Sequence, residues 1–248
     1  MMAGEVDLER RFSGIIRLYG EKKFRLIQNY HVCVVGIGGV GSWVVESLAR
    51  HGVGKITLID MDHIVESNIN RQIHALDSTD GESKIKAMKD RIIDINPTCL
   101  VDCIDDFLEE SNIESHISSR FDFIIDAIDQ SSVKTSLAEY CQSKNLSLIM
   151  VGGAGGRVDP ARIKIADLSK TFGDPLLSNI RKHFNKKNKL SKSKYEIPTI
   201  FSDEPIIKSD ACETDQSGGG LSCDGYGSSL NVTATMAFYV VSYIFSKI

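Results

Sequence analysis

The stretch His31-Val-Cys-Val-Val-Gly36-Ile-Gly38-Gly39-Val-Gly41 decides the fold that this sequence predicts. Its apolar start has the length of a buried strand, and its end matches the pattern G-x-G-x-x-G. A helical pattern of apolar residues from Trp43 to Ala49 follows. Glycines let a backbone approach phosphate, and a helix N-terminus favours negative charge. We therefore predict a strand, a phosphate-binding turn containing Gly36, Gly38, Gly39 and Gly41, and a helix.

Strand and helix patterns then alternate as far as residue 151. Apolar runs at 55–60, 100–104, 121–126 and 146–151 predict strands, and the apolar spacing within 81–95 and 132–144 predicts helices. Such alternation is typical of a mostly parallel sheet with helices on both faces. We therefore expect an α/β fold with a Rossmann-type sheet.

The pattern changes beyond Arg157. We expect a strand at 162–167, a helix at 175–184, a strand at 195–201, a glycine-rich loop at 217–227 and a closing helix over Leu230 to Ile248. Polar residues interrupt that last apolar segment, so it favours a buried helix over a membrane span. We predict a single domain over 1–248, in which a C-terminal extension at 156–248 packs on a nucleotide-binding core at 10–155.

The bulk composition fits a globular enzyme. The chain has 248 residues, 42% of them apolar, and a formal net charge of -4, which gives no general reason to expect nucleic-acid binding. Its six cysteines form no Cys-x-x-Cys pair, so reduced thiols fit better than a disulfide framework. The N-terminus is acidic and polar, unlike a secretory signal. We expect a cytoplasmic protein.

An acid and two cations follow the glycine motif. Asp60 ends the second predicted strand, where it is placed to bind a ribose hydroxyl. These features alone suit an NAD-dependent oxidoreductase equally well. Arg71, Lys84 and the later Asp129 favour another chemistry, because an enzyme that aligns a carboxylate with the α-phosphate of ATP needs cations at the phosphates and an acid for magnesium.

Several ordered motifs resemble the adenylation domain shared by ubiquitin-activating enzymes and the bacterial proteins that activate sulfur carriers. They are Val-Gly-Ile-Gly-Gly-Val-Gly-Ser at 35–42, Asp-x-Asp at 60–62, Ser-Asn-x-x-Arg-Gln at 67–72, Lys84 and Asp129. The resemblance covers about residues 10–155 and implies ATP and Mg²⁺ as cofactors. It implies Gly39 and Gly41 at the phosphates, Asp60 at ribose with Asp62 nearby, Asn68, Arg71 and Lys84 around the triphosphate, and Asp129 at magnesium. Arg71, Lys84 and Asp129 are the implied catalytic residues.

Other stretches resemble one branch of this superfamily, the bacterial tRNA threonylcarbamoyladenosine dehydratases. They lie at 11–20, 152–160 and 167–175 and in Cys223-x-Gly-Tyr-Gly, so the resemblance covers nearly the whole chain. It implies that ATP converts the threonyl carboxylate of tRNA threonylcarbamoyladenosine to an acyl-adenylate, which then cyclises. The alternative is an adenylyltransferase that activates the C-terminus of a sulfur-carrier protein, although that branch typically has two zinc-binding Cys-x-x-Cys pairs.

Two other classes stay open at this point. An NAD enzyme remains compatible with the glycine motif, and a nucleotide-binding regulatory module without turnover would keep the same fold. Relatives in the family suggest a homodimer and a sulfur-relay protein as a further partner. Sulfur-carrier activators usually place an arginine near the start that reaches the partner's ATP. The aligned position here is Gly14, and Arg11 and Arg17 are the candidates to replace that arginine.

The segment 181–194 contains seven Lys or Arg residues and no acid. We predict a basic loop here, which is either a solvated surface or a contact for the tRNA backbone. Cys223 is either a nucleophile or a packing residue, and no base is evident beside it in the sequence. The candidate substrate-binding residues are Arg181, Lys182, Lys186, Lys187, Lys189 and Cys223.

Overall fold

The sheet has the predicted α/β organisation. The computed structural model describes residues 6–187, 194–207 and 226–248, and of Lys187 only the backbone. In those ranges the strands are β1 (His31–Val35), β2 (Lys55–Ile59), β3 (Leu100–Ile104), β4 (Phe123–Asp126), β5 (Leu148–Val151), β6 (Ile163–Asp167) and β7 (Pro198–Ser202). They form one sheet in the order β3-β2-β1-β4-β5-β7-β6. Every neighbouring pair is parallel except β6 with β7 at one edge.

Most of the predicted helices are present at close to their predicted positions. The helices of the described ranges are α1 (Leu8–Arg11), α2 (Ser13–Tyr19), α3 (Glu21–Asn29), α4 (Gly41–Arg50), α5 (Lys84–Ile95), α6 (Ile113–His116), α7 (Ser131–Ser143), α8 (Pro175–Lys187) and α9 (Leu230–Ser246). Within those ranges, no helix combines the length and apolar character that crossing a membrane requires.

The two faces of the sheet bury different sets of side chains. Val32 and Val34 of β1 pack in one cluster with residues of α4, α5 and α9, whereas Cys33 and Val35 pack in a second cluster with residues of α7 and α8. Successive side chains of a strand point to opposite faces, which explains the alternation. Both faces are therefore covered by helices, and β1 is buried along its whole length.

The sequence patterns did not predict the N-terminal helices α1, α2 and α3. These helices have 4, 7 and 9 residues, and helices this short are marginal without tertiary packing. Phe12 and Phe24 provide that packing, with ring centroids 5.6 Å apart. Both rings lie against Gly52, where an added Cβ would be 2.8 Å from Phe24. Glycine at this turn therefore allows the N-terminal helices to approach the sheet.

The prediction of a basic loop at 181–194 is wrong for its first half. Helix α8 continues to Lys187, so Arg181, Lys182 and Lys186 are helical. The apolar spacing stops at the buried Phe184, which explains why the helix was predicted to end there. Residues 188–193, which include Lys189, lie outside the described residues, as do Cys223 and most of the predicted loop at 217–227.

The strand predicted at 195–201 begins later, at Pro198. Glu196 has a φ of 59°, a left-handed conformation that cannot continue an extended strand. The preceding residue is fixed from outside the strand, since the backbone NH of Tyr195 donates to Asp167 Oδ1 at 3.0 Å. The strand therefore starts after this turn.

Candidate functional site

A cleft of about 410 Å³ lies at the carboxyl ends of β1, β2, β4 and β5. Ligands of open α/β sheets bind at this edge, where the strand order reverses, and here the reversal falls between β1 and β4. Every residue predicted to bind the nucleotide lines the cleft except Gly41. The lining set contains Gly36, Gly38, Gly39, Asp60, Asp62, Asn68, Arg71, Lys84 and Asp129.

The glycine loop after β1 fits closely between the strand and helix α4. Gly36 has a φ of 86°, and a Cβ there would lie 2.9 Å from the Ala127 carbonyl oxygen. A Cβ on Gly38 would meet no atom within 4 Å, because this glycine faces the open cleft. A Cβ on Gly41 would lie 1.8 Å from the Gly36 carbonyl oxygen. Gly41, which the resemblance implied at the phosphates, therefore allows the helix to pack against the loop.

Asp60 connects the end of β2 to the glycine loop. Its side chain is buried, and its carboxylate accepts hydrogen bonds from the backbone NH of Ile37 at 2.5 Å and of Asp62 at 2.8 Å. Burial raises the pKa of Asp60, and the nearby Lys84 opposes that rise. A carboxylate has about four acceptor sites, so both bonds leave capacity for a ribose hydroxyl. Asp60 therefore shapes the loop as well as facing the cleft.

Lys84 is a buried cation at the first position of helix α5. Its side chain is 7% exposed, and its Nζ lies 2.6 Å from Asp62 Oδ2, whereas the Asp62 side chain is 51% exposed. The backbone NH of Lys84 also donates to the carbonyl oxygen of Asp62 at 3.1 Å. Lys84 is therefore not a solvated surface charge. A desolvated ammonium group acts on a nearby anion more strongly than one in bulk water.

Arg71 lies against the glycine loop. Its Nη1 donates to the carbonyl oxygen of Ser67 at 2.8 Å, and its backbone carbonyl accepts a bond from Trp43 Nε1 at 3.0 Å. A Cβ on Gly39 would be 3.4 Å from the Arg71 side chain, so the guanidinium arm passes close to the loop. Asn68 is buried, and its Oδ1 accepts the backbone NH of Val65 at 3.3 Å. The segment 65–72 is thus held in place around Arg71.

Asp129 is exposed at the cleft, and a buried ion pair fixes the chain that leads to it. Asp126 and Lys134 have fully buried side chains, with Lys134 Nζ 2.8 Å from Asp126 Oδ1. The same oxygen accepts the backbone NH of Ile128 at 3.2 Å. Burial raises the pKa of Asp126, and Lys134 opposes the rise. Sequence reasoning missed this pair, because only the fold brings the start of α7 against the end of β4.

Another buried cation supports the opposite wall of the cleft, which Gly152, Gly153 and Gly155 line. Arg157 is 2% exposed, and its guanidinium group donates to the carbonyl oxygens of Gly153 and Gly173. Asp174 accepts the backbone NH of Gly153 at 2.9 Å. Burial lowers the pKa of Arg157, and the negative charges of Asp174 and Glu204 oppose that decrease. The glycine-rich stretch at 152–156 gave no sign of these partners in the sequence.

Several other candidate residues do not line the cleft. Arg11 donates to the carbonyl oxygens of Asp94 at 3.1 Å and Ile95 at 2.7 Å, so it caps the C-terminus of α5 within this chain. Arg181 donates to Thr171 Oγ1 at 2.7 Å. Lys182 and Lys186 are exposed on α8 and do not line the cleft. The basic side chains of α8 therefore lie outside the lining of the nucleotide cleft, although Leu176 in the first turn of the same helix lines it.

Comparison with known proteins assigns the chain to a family. The model of the ThiF family matches residues 12–203. The chain belongs to the ThiF family. This ThiF-family chain is 43% identical over 252 residues to the tRNA threonylcarbamoyladenosine dehydratase of Haemophilus influenzae, with 100% of this chain and 97% of that protein covered. It is also 43% identical to the Escherichia coli K12 protein of the same name, over 96% of this chain and 93% of that one.

A solved structure of a similar protein shows the same fold. The crystal structure of the Escherichia coli tRNA N6-threonylcarbamoyladenosine dehydratase in complex with ATP superposes with a TM-score of 0.86 at 41% identity. The match covers 96% of this chain and 93% of that chain. The similarity therefore includes the C-terminal part of the sheet as well as the nucleotide-binding half.

Proposed function

We propose that this chain is an ATP-dependent tRNA threonylcarbamoyladenosine dehydratase. The observation that carries the proposal is the cleft, in which Asp60, Arg71, Lys84 and Asp129 surround a glycine loop. Similarity to proteins of that name over the full chain supports the assignment. The arrangement suits a reaction in which negative charge accumulates on phosphate, since two cations and a helix N-terminus face one space.

The residues present fit a bound ATP. Gly38 leaves open space where a side chain would otherwise stand, so the phosphates can approach the backbone at the N-terminus of α4. Asp60 has acceptor capacity left for a ribose hydroxyl. Arg71 and Lys84 are assigned to the triphosphate, with Asn68 holding the segment that carries Arg71.

Asp129 is the residue that fits magnesium. Mg²⁺ is usually bound through one or two carboxylates together with substrate phosphates, rather than by an all-protein cage. Consistent with that mode, residues 6–187, 194–207 and 226–248 contain no cluster of three or more His, Cys, Asp or Glu side chains that could hold a metal ion. When bound here, the ion would neutralise charge on the phosphates, and Asp129 would hold it at the end of β4.

The chemistry follows from the poor reactivity of a carboxylate. An oxygen of the threonyl carboxylate attacks the α-phosphorus of ATP and pyrophosphate leaves, while Arg71 and Lys84 stabilise the charge on the phosphates. The neighbouring carbamoyl group then attacks the activated carbonyl carbon, AMP leaves, and a ring closes with net loss of water. Both reacting groups belong to one nucleoside, and such proximity supplies effective molarities of roughly 10⁵ M or more. A covalent intermediate on Cys223 is not needed.

The remaining assignments are also part of this proposal. We assign residues 1–248 to a single adenylating domain that functions as a homodimer, and a sulfur-relay protein is a further candidate partner. A reducing cytoplasm fits the free thiols of Cys33, Cys99, Cys103 and Cys141. The absence of any Cys-x-x-Cys pair disfavours the sulfur-carrier adenylyltransferase as the alternative.

The decisive experiment is mass analysis of nucleosides from tRNA incubated with the protein, ATP and Mg²⁺. Threonylcarbamoyladenosine should lose the mass of one water, with AMP and pyrophosphate formed in equal amounts. Omitting ATP should abolish the change. If threonylcarbamoyladenosine stays unchanged and AMP is instead transferred to the C-terminus of a sulfur-carrier protein, the alternative is established.

Replacing Asp60 by Ala should raise the apparent KM for ATP by roughly tenfold or more, because a charge-assisted hydrogen bond contributes about 1.5–3 kcal/mol. The ribose is remote from the reacting bond, so kcat at saturating ATP should fall much less. Steady-state kinetics with varied ATP provide the measurement. Asp80→Ala is the matched control, since Asp80 is exposed and outside the cleft. A kcat defect with an unchanged KM would contradict the ribose role.

Replacing Asp129 by Asn should instead lower kcat and raise the Mg²⁺ concentration needed for half-maximal rate. The amide keeps the size of the side chain but removes the charge that favours a hard cation. A magnesium titration at saturating ATP measures both effects. Asp105→Asn changes an exposed acid outside the cleft lining and should leave the titration unchanged. If both variants titrate alike, magnesium is held elsewhere.

The exposed lysines of α8 are proposed to attract the tRNA backbone. The double variant Lys182→Ser/Lys186→Ser should raise the KM for tRNA and leave ATP affinity unchanged. Its log-log salt dependence of tRNA binding should become shallower by roughly 0.7 to 0.9 for each phosphate-binding lysine removed. The control is Lys22→Ser/Lys23→Ser, which removes two exposed lysines from α3. Equal salt slopes in wild type and the α8 variant would leave α8 as a solvated surface.

A further inference from the structure

Phe172 presents an aromatic ring to solvent beside a cation. The residue is 52% exposed, although its ring packs edge-on against Phe201 with centroids 5.6 Å apart. The Nζ of Lys164 lies 5.5 Å from the centroid of the Phe172 ring. A single exposed apolar residue needs no explanation by itself. An aromatic ring with a cation beside it, however, is a recurring element of protein surfaces that bind single-stranded nucleic acid.

This ring lies near the rim of the cleft. Strand β7 is parallel to β5, so its C-terminal end at Ser202 lies at the same edge of the sheet as the cleft. Strand β6 is antiparallel, which puts its first residues at that edge too, with Ile163 paired to Ser202. Two residues beyond Phe172, Asp174 accepts the backbone NH of the cleft residue Gly153 at 2.9 Å. Two residues of chain span at most about 7 Å, so the backbone of Phe172 lies within about that distance of Asp174.

Basic side chains lie on the chain segments that flank the ring. Arg162 and Lys164 both bind the carboxylate of Asp203, so two cations share one anion. Lys170 is exposed two residues before Phe172. Arg181 donates to the uncharged Thr171 hydroxyl, directly beside Phe172 in the chain. We call Phe172, Arg162, Lys164, Lys170 and Arg181 together the Phe172 patch.

We infer that the Phe172 patch binds single-stranded RNA next to the cleft, with one base stacked on the Phe172 ring and the adjoining phosphates at Lys164 and its neighbours. The inference rests on the proposed function and deepens it, because it places the nucleotides that flank the reacting adenosine. Stacking of a base on an aromatic side chain contributes about 1–3 kcal/mol and tolerates any sequence. A chain with a formal net charge of -4 needs such a local basic surface to hold a polyanion.

The composition of the patch favours RNA over a protein partner. Lysine is depleted in the buried centres of protein interfaces, which are enriched in contiguous apolar and aromatic contacts. Here a single half-exposed ring has Lys164 beside it, and Arg162 and Lys164 lie immediately before and on the edge strand β6. Nucleobases can stack on the face of such a ring, and phosphates can pair with the cations.

The test compares Phe172→Leu, Phe172→Trp and the control Leu18→Ala in binding to a fluorescent anticodon stem-loop RNA. Leucine keeps apolar packing against Phe201 but removes the aromatic face, whereas tryptophan keeps it. Phe172→Leu should weaken RNA binding roughly fivefold or more, and Phe172→Trp should bind about as wild type does. Leu18 is 73% exposed on α2, so Leu18→Ala should have no effect. ATP affinity without RNA should be the same in all four proteins.

Charge provides a second readout. Lys164→Gln should make the salt dependence of RNA binding shallower by about 0.7, the value for one phosphate contact on a single strand. Wild-type affinity in Phe172→Leu, or an equal loss in Phe172→Trp, would overturn the stacking role. Nucleoside analysis of tRNA treated with the wild-type protein separates the hypothesis of the Phe172 patch from the dehydratase assignment. Turnover with a Phe172-independent affinity refutes only the patch, and Phe172-dependent RNA binding without turnover refutes only the dehydratase assignment.

Discussion

Replacing Lys84 by Met is expected to lower kcat by about 10²- to 10³-fold, the usual effect of removing a group that stabilises transition-state charge. Lys84 is 7% exposed, so in the proposed role its ammonium group would act on the phosphates without the screening of bulk water. Methionine has a similar length and is apolar, which keeps the buried stem packed. The measurement is kcat at saturating ATP and tRNA.

The folded state should tolerate this substitution. Removing Lys84 leaves Asp62 without its partner, but the Asp62 side chain is 51% exposed and water can solvate it. Asp60, the buried acid that Lys84 also influences, keeps its two backbone hydrogen bonds, so the cost should be well below that of breaking a fully buried pair and the thermal midpoint should stay close to that of wild type. The control is Lys86→Met on the same helix, where the side chain is 62% exposed and paired with Asp90. Near-normal kcat in Lys84→Met, or an equal loss in Lys86→Met, would refute the catalytic role.

Replacing Lys134 by Met should destabilise the protein by about 3–5 kcal/mol, because it leaves the buried carboxylate of Asp126 without a counter-charge. Both side chains are fully buried. The free energy of unfolding, obtained from urea denaturation, gives the measurement. The double variant Lys134→Met/Asp126→Asn removes both charges and should recover part of the loss. Lys144→Met, which removes a 52% exposed lysine just after α7, should change stability by less than about 0.5 kcal/mol.

The Lys134→Met defect should also depend on pH. Burial raises the pKa of Asp126, and without Lys134 to oppose it the pKa rises further. Between the ordinary pKa of an aspartate and this raised value, the folded state binds a proton that the unfolded state does not. Stability of the variant must therefore fall as pH rises through that window and recover at acid pH. A defect that is equal at neutral and mildly acidic pH, or a double variant no more stable than the single one, would contradict the assigned pairing.

The sequence predicts those parts of the site whose signal is local. Gly36, Gly38 and Asp60 follow directly from strand ends, and the fold confirms that they meet at one edge of the sheet. Lys84 and Asp129 were found because their order along the chain resembles a family motif. The burial of Lys84 could not be deduced, since a lysine that opens a helix is usually solvated.

The supporting contacts were missed because they join distant segments. Arg157 contacts Gly173 and Glu204, which belong to other loops, and no periodicity connects the three. Lys134 looks like an ordinary residue of helix α7 until the chain folds it onto Asp126. The end of α8 was misplaced for another reason. Asn185 and Lys186, which follow the buried Phe184 in its last turn, are exposed and do not extend the apolar pattern.

The two hydrogen bonds of Asp60 have a consequence for redesign of the nucleotide specificity. One carboxylate holds Ile37 of the glycine loop and also the backbone of Asp62, whose side chain binds Lys84. The sugar side and the phosphate side of the cleft are thus joined through three consecutive positions, 60 to 62. An engineered change at Asp60 for a different sugar would also remove the hydrogen bonds that position the backbone of Ile37 in the loop and of Asp62. Altered nucleotide preference in this scaffold therefore requires compensating changes at Asp62 and in the loop together.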